Sequence, residues 1–314
     1  MNSNRPTLLN PLRIGTRGSN LALAQAQIVR DALKREFCLE DAAFEICPVR
    51  TKGDKITDKP FRDIGGKGIF CREIEELLLK GGVDIAVHSM KDMPVEQPFG
   101  LVIDCVLPRG DPRDAMVSRY ATNIAELPDG AVVGTSSVRR KAQVLRSNRK
   151  VRVEDIRGNL ETRLAKLEAG VVQATMLSKA GIDRSRNNFE FVHVVPTEVM
   201  MPAPAQGVIC VERRVSDRRV AAFLDAITDE EAHIASIAER SFMSRLEGSC
   251  EMPIGAFAVS TGTGLTLRGE VLRPDGSDWA AGSIDGSREH AVAMGRELAD
   301  SLIRSCGAGF FNGN

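Results

Sequence analysis

The sequence has little of what proteins that bind nucleic acids or membranes depend on. Lys plus Arg and Asp plus Glu number 42 each, so the formal net charge at pH 7 is zero, and no overall field attracts a polyanion or an anionic lipid surface. Aromatic residues make up 4% of the chain, with one Trp and one Tyr, which leaves little material for base stacking. We therefore expect no nucleic-acid or membrane partner, and any basic site must be local.

Metal-binding and disulfide patterns are also missing. The chain has no C-x-x-C pair and its four histidines are isolated, so zinc-ligand spacing is absent. No apolar run reaches the ~18 residues of a membrane span, and residues 1–11 resemble a loose tail rather than a signal peptide. We expect no metal and a reducing, cytoplasmic location, because the cysteines are odd in number and scattered. They are Cys38, Cys47, Cys71, Cys105, Cys210, Cys250 and Cys306.

A repeated order of strand, polar loop and helix is present in most of the chain. Residues 12–15 are a predicted strand, and Ser19 is the predicted cap of the helix that follows. Residues 131–133 and Ser137 repeat that arrangement. Residues 208–211 are predicted to return as a strand added to the first domain. This repetition predicts two α/β domains of similar build.

The order changes after about residue 223. Thr228 begins a capping-box pattern, and apolar residues at helical spacing lead to a loop that carries Cys250. Predicted strands and a closing helix near residues 287–305 complete a small α+β domain. The predicted domains are domain 1 at 1–107 and 203–222, domain 2 at 108–202, and domain 3 at 223–314.

Cationic and hydroxyl side chains recur on the loops that follow the predicted strands. Guanidinium groups beside free N–H groups at a helix start form sites for carboxylate or phosphate. Arg139 and Arg140 oppose the dipole of the helix that they begin, so helix stability does not account for them. Solvated surface arginines are the alternative, but recurrence on four loops favours binding. The residues are Arg17, Ser19, Lys67, Ser89, Lys91, Ser136, Ser137, Arg139, Arg140, Arg157 and Arg163.

Cys250 and Asp92 each have a structural and a chemical interpretation. Cys250 follows a helix end and lies between Glu247 and Glu251, an acidic setting that disfavours a thiolate. It suits a sulfur that bonds once to a strong electrophile, although a small buried residue is the commoner role of a cysteine. Asp92 lies beside Lys91 on a loop after a predicted strand. It either stabilises a developing cation or forms a structural ion pair.

Six short motifs occur in a fixed order along the chain. They are residues 13–19 (RIGTRGS), 65–68 (GGKG), 87–92 (VHSMKD), 134–140 (GTSSVRR), 157–159 (RGN) and 246–250 (LEGSC). Together they resemble the porphobilinogen deaminase (hydroxymethylbilane synthase) family, from about residue 12 to the C-terminus. Six motifs in the family's order are far more specific than any one of them.

The resemblance implies a fold, a cofactor and a reaction. The fold is two α/β domains similar to the type II periplasmic binding proteins, plus a small C-terminal α+β domain. The cofactor is a dipyrromethane bound through a thioether to Cys250. The reaction is a head-to-tail condensation of four porphobilinogen molecules on that primer with release of ammonia, and then hydrolysis to hydroxymethylbilane in tetrapyrrole and haem synthesis. We thus expect a transferase that acts as a monomer.

The resemblance also assigns roles to residues. Asp92 is expected to be catalytic, because its carboxylate would hydrogen-bond pyrrole N–H groups and stabilise the azafulvenium cation left when the amine departs. The cofactor-binding residues are expected to be Cys250, Lys91, Ser137, Arg139, Arg140, Arg157 and Ser89, and the substrate-binding residues Arg17, Ser19, Arg163 and Lys67. Asp63, Ser178 to Gly181 and Pro204 with Ala205 depart from the family pattern, and none of them carries an assigned role.

Two other functions stay open at this point. A two-lobed anion-binding or sensor module would use the paired domains and the arginine loops, but it has no use for Cys250 or Asp92. A nucleic-acid binder conflicts with the balanced charge and the scarcity of aromatic residues.

Overall fold

The structure, a computed structural model, describes residues 5–55, 68–185, 189–246, 252–307 and 310. Lys67 and Cys250, two of the predicted site residues, lie outside the described residues, and so does Asp63. The chain divides into two compact units. The described residues of the first fall within 1–59, 64–109 and 208–233, and those of the second within 110–207 and 234–314.

The described elements include runs in which strands and helices alternate, as the sequence pattern predicts. The strands are β1 Leu12–Arg17, β2 Phe44–Val49, β3 Ile85–Ser89, β4 Leu101–Val106, β5 Asp114–Val117, β6 Val132–Gly134, β7 Arg152–Glu154, β8 Ala174–Ser178, β9 Val192–Val194, β10 Ile209–Arg214, β11 Ile254–Thr261, β12 Gly264–Leu272 and β13 Trp279–Ser287. The helices are α1 Asn20–Phe37, α2 Arg72–Leu79, α3 Val138–Ser147, α4 Leu160–Glu168, α5 Lys179–Arg184, α6 Arg218–Asp225, α7 Glu230–Arg245 and α8 Ala291–Cys306, with a helical turn at Lys52–Lys55.

The first unit is built on a five-stranded sheet with the order β2-β1-β3-β10-β4. β1 is parallel to β2 and β3, and β10 is antiparallel to both β3 and β4. Apolar side chains of α1 and α6, such as Val29 and Leu224, pack on one face of this sheet. Ile74 and Leu78 of α2 pack on the other face. The unit is therefore a sheet enclosed by helices, the α/β arrangement expected.

The second unit contains a sheet of the same design. Its order is β7-β6-β8-β5-β9, with β6 parallel to β7 and β8, and β5 antiparallel to β8 and β9. Position by position, this matches the first sheet, because an antiparallel strand occupies the fourth place in both. That strand comes last along the chain in the first sheet and first in the second. The prediction of two α/β domains of similar build is confirmed.

A third, smaller layer completes the second unit. β11, β12 and β13 form an antiparallel sheet, and α7 and α8 cover one face of it. Phe242 of α7, fully buried, packs with Leu267 of β12 and Leu298 of α8. A Cβ atom at Gly295 of α8 would lie 2.5 Å from the Ala238 carbonyl oxygen, which explains why a residue without a side chain stands where the two helices meet. The predicted α+β domain is confirmed.

Some local predictions were wrong. The cap of α7 is Asp229, whose Oδ1 accepts the N–H of Ala232 at 2.8 Å, rather than Thr228. The hydroxyl of Thr228 donates instead to the Leu224 carbonyl at the end of α6. Helical spacing also predicts Leu77 on the same apolar face of α2 as Ile74 and Leu78, but Leu77 is exposed. None of the helices in the described part of the chain is long and apolar enough to cross a membrane.

Candidate functional site

In each unit, the predicted site residues gather at one edge of the sheet. In the first, Arg17 ends β1, Ser89 ends β3, and Met90 to Asp92 follow β3. In the second, Ser137 follows β6 and Arg157 follows β7. These are the carboxyl ends of parallel strands, the place where open α/β sheets bind ligands.

Arg17 is held in place by an aspartate that the sequence analysis missed. Its Nε lies 3.1 Å from Asp54 Oδ1, its Nη2 contacts the same oxygen, and its guanidinium lies 4.2 Å from the centre of the Phe70 ring. Asp54 Oδ2 also accepts the hydroxyl of Thr51 at 2.7 Å. Burial raises the pKa of Asp54, but hydrogen bonds from Arg17 and Thr51 outweigh it and the net shift is downward. The Thr51-to-Asp54 spacing is a capping pattern that could have revealed this residue.

Ser19 and Ser89 both have structural partners in the first unit. Ser19 is the cap of α1, as predicted, and its Oγ accepts the N–H of Ala22 at 3.3 Å. Ser89 Oγ exchanges hydrogen bonds with the buried amide of Gln25, at 2.8 and 3.2 Å. The bonds of Ser89 join α1 to the end of β3. Both hydroxyls are therefore oriented by the protein itself, without a ligand.

Asp92 projects from a single 3₁₀ turn. The turn spans Met90–Asp92, and its flanking methionines, Met90 and Met93, are buried. The Met93 N–H donates to the Met90 carbonyl at 3.1 Å, which closes the turn. Asp92 is exposed and Lys91 is half-buried. Two apolar anchors thus hold a short segment that presents its carboxylate to solvent.

The second unit contains a buried charge cluster of three residues. Asp114, the first residue of β5, lies with its Oδ2 2.8 Å from Arg139 Nη1 and its Oδ1 2.7 Å from Arg140 Nη2. Asp114 is fully buried, and the two arginines are 4% and 7% exposed. Burial lowers the pKa of Arg139, and the nearby Asp114 carboxylate opposes that shift. Two guanidinium groups and one carboxylate leave these three residues with a net positive charge.

Backbone groups fix the direction of both guanidinium groups. Arg140 Nη1 donates to the Met176 carbonyl at 2.9 Å, and Arg139 Nη1 donates to the Met201 carbonyl at 2.6 Å. The helix that carries them, α3, is capped by Ser137, as predicted, with Ser137 Oγ accepting the N–H of Arg140. From the sequence, helix stability did not account for these arginines. The structure gives them a structural role as well, because they join α3 to neighbouring backbone.

Arg157 and Arg163 lie on either side of a tight turn in the second unit. Gly158 has φ +114°, and a Cβ there would lie 2.5 Å from the Thr162 side chain, so this turn requires glycine. Asn159 then caps α4 through the N–H of Thr162. Arg163 donates to the Gly158 carbonyl and to Ser136 Oγ, at 3.1 and 3.3 Å. Arg163 is thereby brought to the loop that precedes α3.

Nearly the whole chain matches known proteins in sequence. Residues 12–222 match the family model for the porphobilinogen deaminase, dipyromethane cofactor binding domain, and residues 233–304 match the family model for the porphobilinogen deaminase C-terminal domain. The porphobilinogen deaminase of Paracoccus denitrificans is 50% identical over 311 residues, which cover 98% of each chain. That of Nitrobacter hamburgensis is 45% identical over 298 residues, covering 95% of this chain and 94% of its own.

These matches first define the class of the protein, an α/β enzyme of the transferase type. The chain belongs to the porphobilinogen deaminase family. The predicted family, enzyme class, activity and dipyrromethane cofactor are confirmed.

Among solved structures, the chain has low-scoring similarity to proteins of low sequence identity. A probable amino-acid ABC transporter extracellular-binding protein from Bacillus subtilis gives a TM-score of 0.41 at 13% identity, covering 74% of this chain and 96% of its own. An ABC transporter from Parabacteroides distasonis gives 0.42 at 13% identity, covering 73% and 74%. At these scores, the fold assignment rests on the strand orders given above.

Proposed function

We propose that this chain condenses porphobilinogen with Asp92 as its catalytic carboxylate and with cationic side chains of both units as binding groups for substrate and cofactor carboxylates. Cys250 is the covalent attachment point of the dipyrromethane. The proposed cofactor-binding residues are Lys91, Ser89, Ser137, Arg139, Arg140 and Arg157, and the proposed substrate-binding residues are Arg17, Ser19, Arg163 and Lys67.

The cluster of Arg139, Arg140 and Asp114 is the observation that supports this proposal most. Burying two guanidinium groups with one carboxylate is unfavourable for stability alone. Glu270 also acts on Arg139, but it pairs with Arg146, so three arginines share two carboxylates and one more anion would be needed to balance the charge. An incoming carboxylate supplies that anion. Guanidinium groups whose direction is already fixed by backbone carbonyls lose little freedom when they bind it.

The dipyrromethane fits the chemistry of these residues. A two-ring pyrrole primer bears acetate and propionate groups, and the second unit offers Arg139, Arg140 and Arg157 at the same sheet edge, with Ser137 as a hydroxyl partner. When bound, the group supplies the pyrrole carbon to which the first substrate is joined. The side chains of the protein then orient the carboxylates of primer and substrate and offset their mutual repulsion.

Asp92 suits the role of stabilising positive charge on the substrate. Departure of a protonated amine leaves a cationic pyrrole, and a carboxylate aimed at that charge lowers the barrier if it does not have to move. The closed turn between Met90 and Met93 keeps Asp92 at a fixed position. Its exposure leaves the carboxylate accessible to a substrate.

Intact mass spectrometry tests the proposal directly. The purified wild-type protein should be heavier than its sequence by a two-ring pyrrole adduct, and Cys250→Ser should remove both the adduct and turnover. Cys38→Ser is the matched control, because Cys38 is an exposed free thiol, and this variant should keep adduct and activity. A fully active protein with unmodified mass would contradict the proposal.

We also propose a monomer in a reducing, cytoplasmic compartment, with porphobilinogen as its partner and no nucleic acid or membrane. The six cysteines in the described part of the chain are all free, which supports a reducing location. Light scattering coupled to size exclusion should give the mass of one chain. A dimer at micromolar concentration would contradict the monomer proposal.

A further inference from the structure

One pair of buried ionisable groups in the first unit has no role in the proposal above. His88 on β3 and Glu212 on β10 approach to 3.5 Å between Nε2 and Oε2, and their side chains are 5% and 0% exposed. Among the described residues, His88 is the sole basic side chain within 4 Å of Glu212. Neither carboxylate oxygen has a hydrogen-bond partner in the described part of the chain. A fully buried carboxylate is costly unless a positive group faces it.

Strand register explains how the two residues meet. His88 pairs directly with Cys210, and Glu212 pairs with Ala86. Glu212 is therefore two positions along β10 from the residue opposite His88, and it lies on the same face of the sheet as a diagonal neighbour. Ala86 packs on that face with Ile74 and Leu78 of α2. The pair thus bridges two strands beneath a helix.

The other ionisable groups near the pair do not compete with His88 for Glu212. Glu75 on α2 faces it. Burial chiefly raises the pKa of Glu75, the thiol of Cys71 opposes that rise, and the charge of Glu212 adds to it. Burial and Glu75 together raise the pKa of the Cys71 thiol. Arg72 is largely exposed and pairs with Glu76 at 3.5 Å. The described surroundings of Glu212 are therefore acidic or apolar apart from the imidazole.

The pair lies directly before the catalytic turn. Ser89, the next residue after His88, still pairs with Ile209 of β10, and the Met90 N–H donates to the Val208 carbonyl at 3.0 Å. β10 therefore supports β3 as far as the first residue of the turn that carries Asp92. If His88 moved along β3, the two backbone-paired residues that follow it would move as well and would shift that turn.

We propose that His88 and Glu212 are positioning residues for Asp92: their buried contact fixes the end of β3 against β10 and so sets the place of the catalytic carboxylate. This inference rests on the proposed role of Asp92. A misplacement of about 1 Å is enough to cost on the order of a hundredfold in rate. Substrate binding through the cationic loops does not depend on this contact, so the effect should fall on kcat rather than on KM.

Two variants and one control test the proposal. Glu212→Gln keeps the shape and removes the charge. His88→Leu/Glu212→Leu removes both polar groups, a replacement that often leaves stability near the wild-type value. Asp84→Asn is the control, because Asp84 precedes the opposite end of β3 and pairs with Arg13. Each protein is compared by urea unfolding, by kcat and KM for porphobilinogen, and by hydrogen exchange at the Met90 and Met93 amides.

The expected results separate positioning from simple stabilisation. Glu212→Gln and the leucine pair should lower kcat about 10- to 100-fold with KM changed less than about twofold, and exchange at Met90 should be faster. Asp84→Asn should lose stability but keep kcat and exchange at Met90. A folded leucine pair with wild-type kcat and wild-type exchange would overturn the proposal. If that variant does not fold, the same two wild-type values in Glu212→Gln would overturn it.

If the proposed function is wrong, the experiments give a different set of results from those expected if only the positioning role is wrong. Asp92→Asn with normal turnover would remove Asp92 from the mechanism, whatever the pair does. In that case hydrogen exchange still reports whether the pair holds the turn, because this measurement needs no activity. Inactive Asp92→Asn together with fully active pair variants would leave the proposed function intact and refute the positioning role.

Discussion

Arg139 and Asp114 form an ion pair that is almost completely buried, with Arg139 Nη1 2.8 Å from Asp114 Oδ2 and neither side chain more than 5% exposed. Asp114 opens the antiparallel strand of its sheet, whereas Arg139 belongs to the first turn of α3. Arg140 shares the other oxygen of the same carboxylate. One aspartate therefore sets the direction of both arginines proposed to bind the cofactor.

Asp114→Asn should be strongly destabilising. The change leaves two buried guanidinium groups without the carboxylate that they share, and breaking a buried pair in this way typically costs about 3–5 kcal/mol. The free energy of unfolding from urea titration measures the loss. Dipyrromethane content by intact mass should fall in parallel, because Arg139 and Arg140 lose their fixed direction.

Asp129→Asn is the matched control for this prediction. Asp129 pairs with Lys150 at 3.1 Å, but both side chains are at least 70% exposed. Exposed pairs contribute about 0–1 kcal/mol, so this variant should unfold close to wild type. Equal losses in the two variants would show that burial of the Asp114 cluster is not what makes it important.

The site was only partly predictable from the sequence, and the reason is the distance over which its contacts form. Ser19 and Ser137 were identified as helix caps because a cap bonds an N–H three residues away. Asp114 was missed, since its partner Arg140 is 26 positions further along the chain. Its role becomes visible only after β5 has been placed beside β8.

The fold was more predictable than the site because it is encoded locally. Apolar runs and polar turns repeat at strand and helix spacing, and the return of β10 to the first sheet follows from the same pattern. The cap of α7 shows the limit. Thr228 and Asp229 both have cap-forming side chains, and the choice depends on whether Thr228 bonds the end of the preceding helix.

The acid sensitivity of the first unit should depend in part on Asp84. Burial raises the pKa of Asp84, but the side-chain and backbone hydrogen bonds from Arg13, with the charges of Arg13 and Arg214, outweigh it and lower the value overall. A pKa lower in the folded than in the unfolded state means that the contact stabilises the fold above about pH 4. That contribution is lost as pH falls through the folded value.

The difference in unfolding free energy between Asp84→Asn and the wild type should therefore become smaller in acid. At pH 7 the variant should lose about 1–2 kcal/mol, because Arg13 is partly solvated and its bonds are correspondingly weaker. As the pH falls through the lowered pKa of Asp84, the wild-type carboxyl becomes protonated as well, and the two unfolding free energies should converge. Urea titrations at a series of pH values measure the difference. A constant gap from pH 7 to pH 2 would contradict the assignment.

Ala205 is a position where glycine should be tolerated better than usual. Its φ is +59°, a left-handed conformation that costs a residue with a Cβ about 1–2 kcal/mol. Ala205→Gly relieves that strain, although the more flexible unfolded chain offsets about 0.4–1 kcal/mol of the gain. The free energy of unfolding of the variant should lie between the wild-type value and about 1.6 kcal/mol above it.

Ala203→Gly provides the comparison for Ala205. Ala203 is two residues earlier in the same segment and is not among the described residues with positive φ, so glycine there brings only the entropic loss of about 0.4–1 kcal/mol. Urea unfolding of both variants should give different signs or clearly different sizes. Equal destabilisation would mean that the left-handed backbone at Ala205 stores no strain.

Gly276 should be the more sensitive of two glycines in the hairpin turns of the small sheet. It has φ +68°, and a Cβ there would overlap the Ala142 carbonyl oxygen and approach the Arg146 nitrogen within 2.8 Å. Both atoms belong to the backbone of α3, so neither can swing away. Gly276→Ala should cost about 1–2 kcal/mol for the left-handed conformation and about 1–3 kcal/mol more for the overlap.

Gly262→Ala measures the first of these two costs by itself. Gly262 lies in the neighbouring hairpin with φ +55°, and no atom lies within 4 Å of the place that a Cβ would take there, so this variant bears the conformational cost alone. Because Gly276 contacts the helix that carries Arg139 and Arg140, its substitution should also reduce dipyrromethane content, whereas Gly262→Ala should not. Similar unfolding free energies for the two variants would show that the turn at Gly276 can move away from α3 without loss.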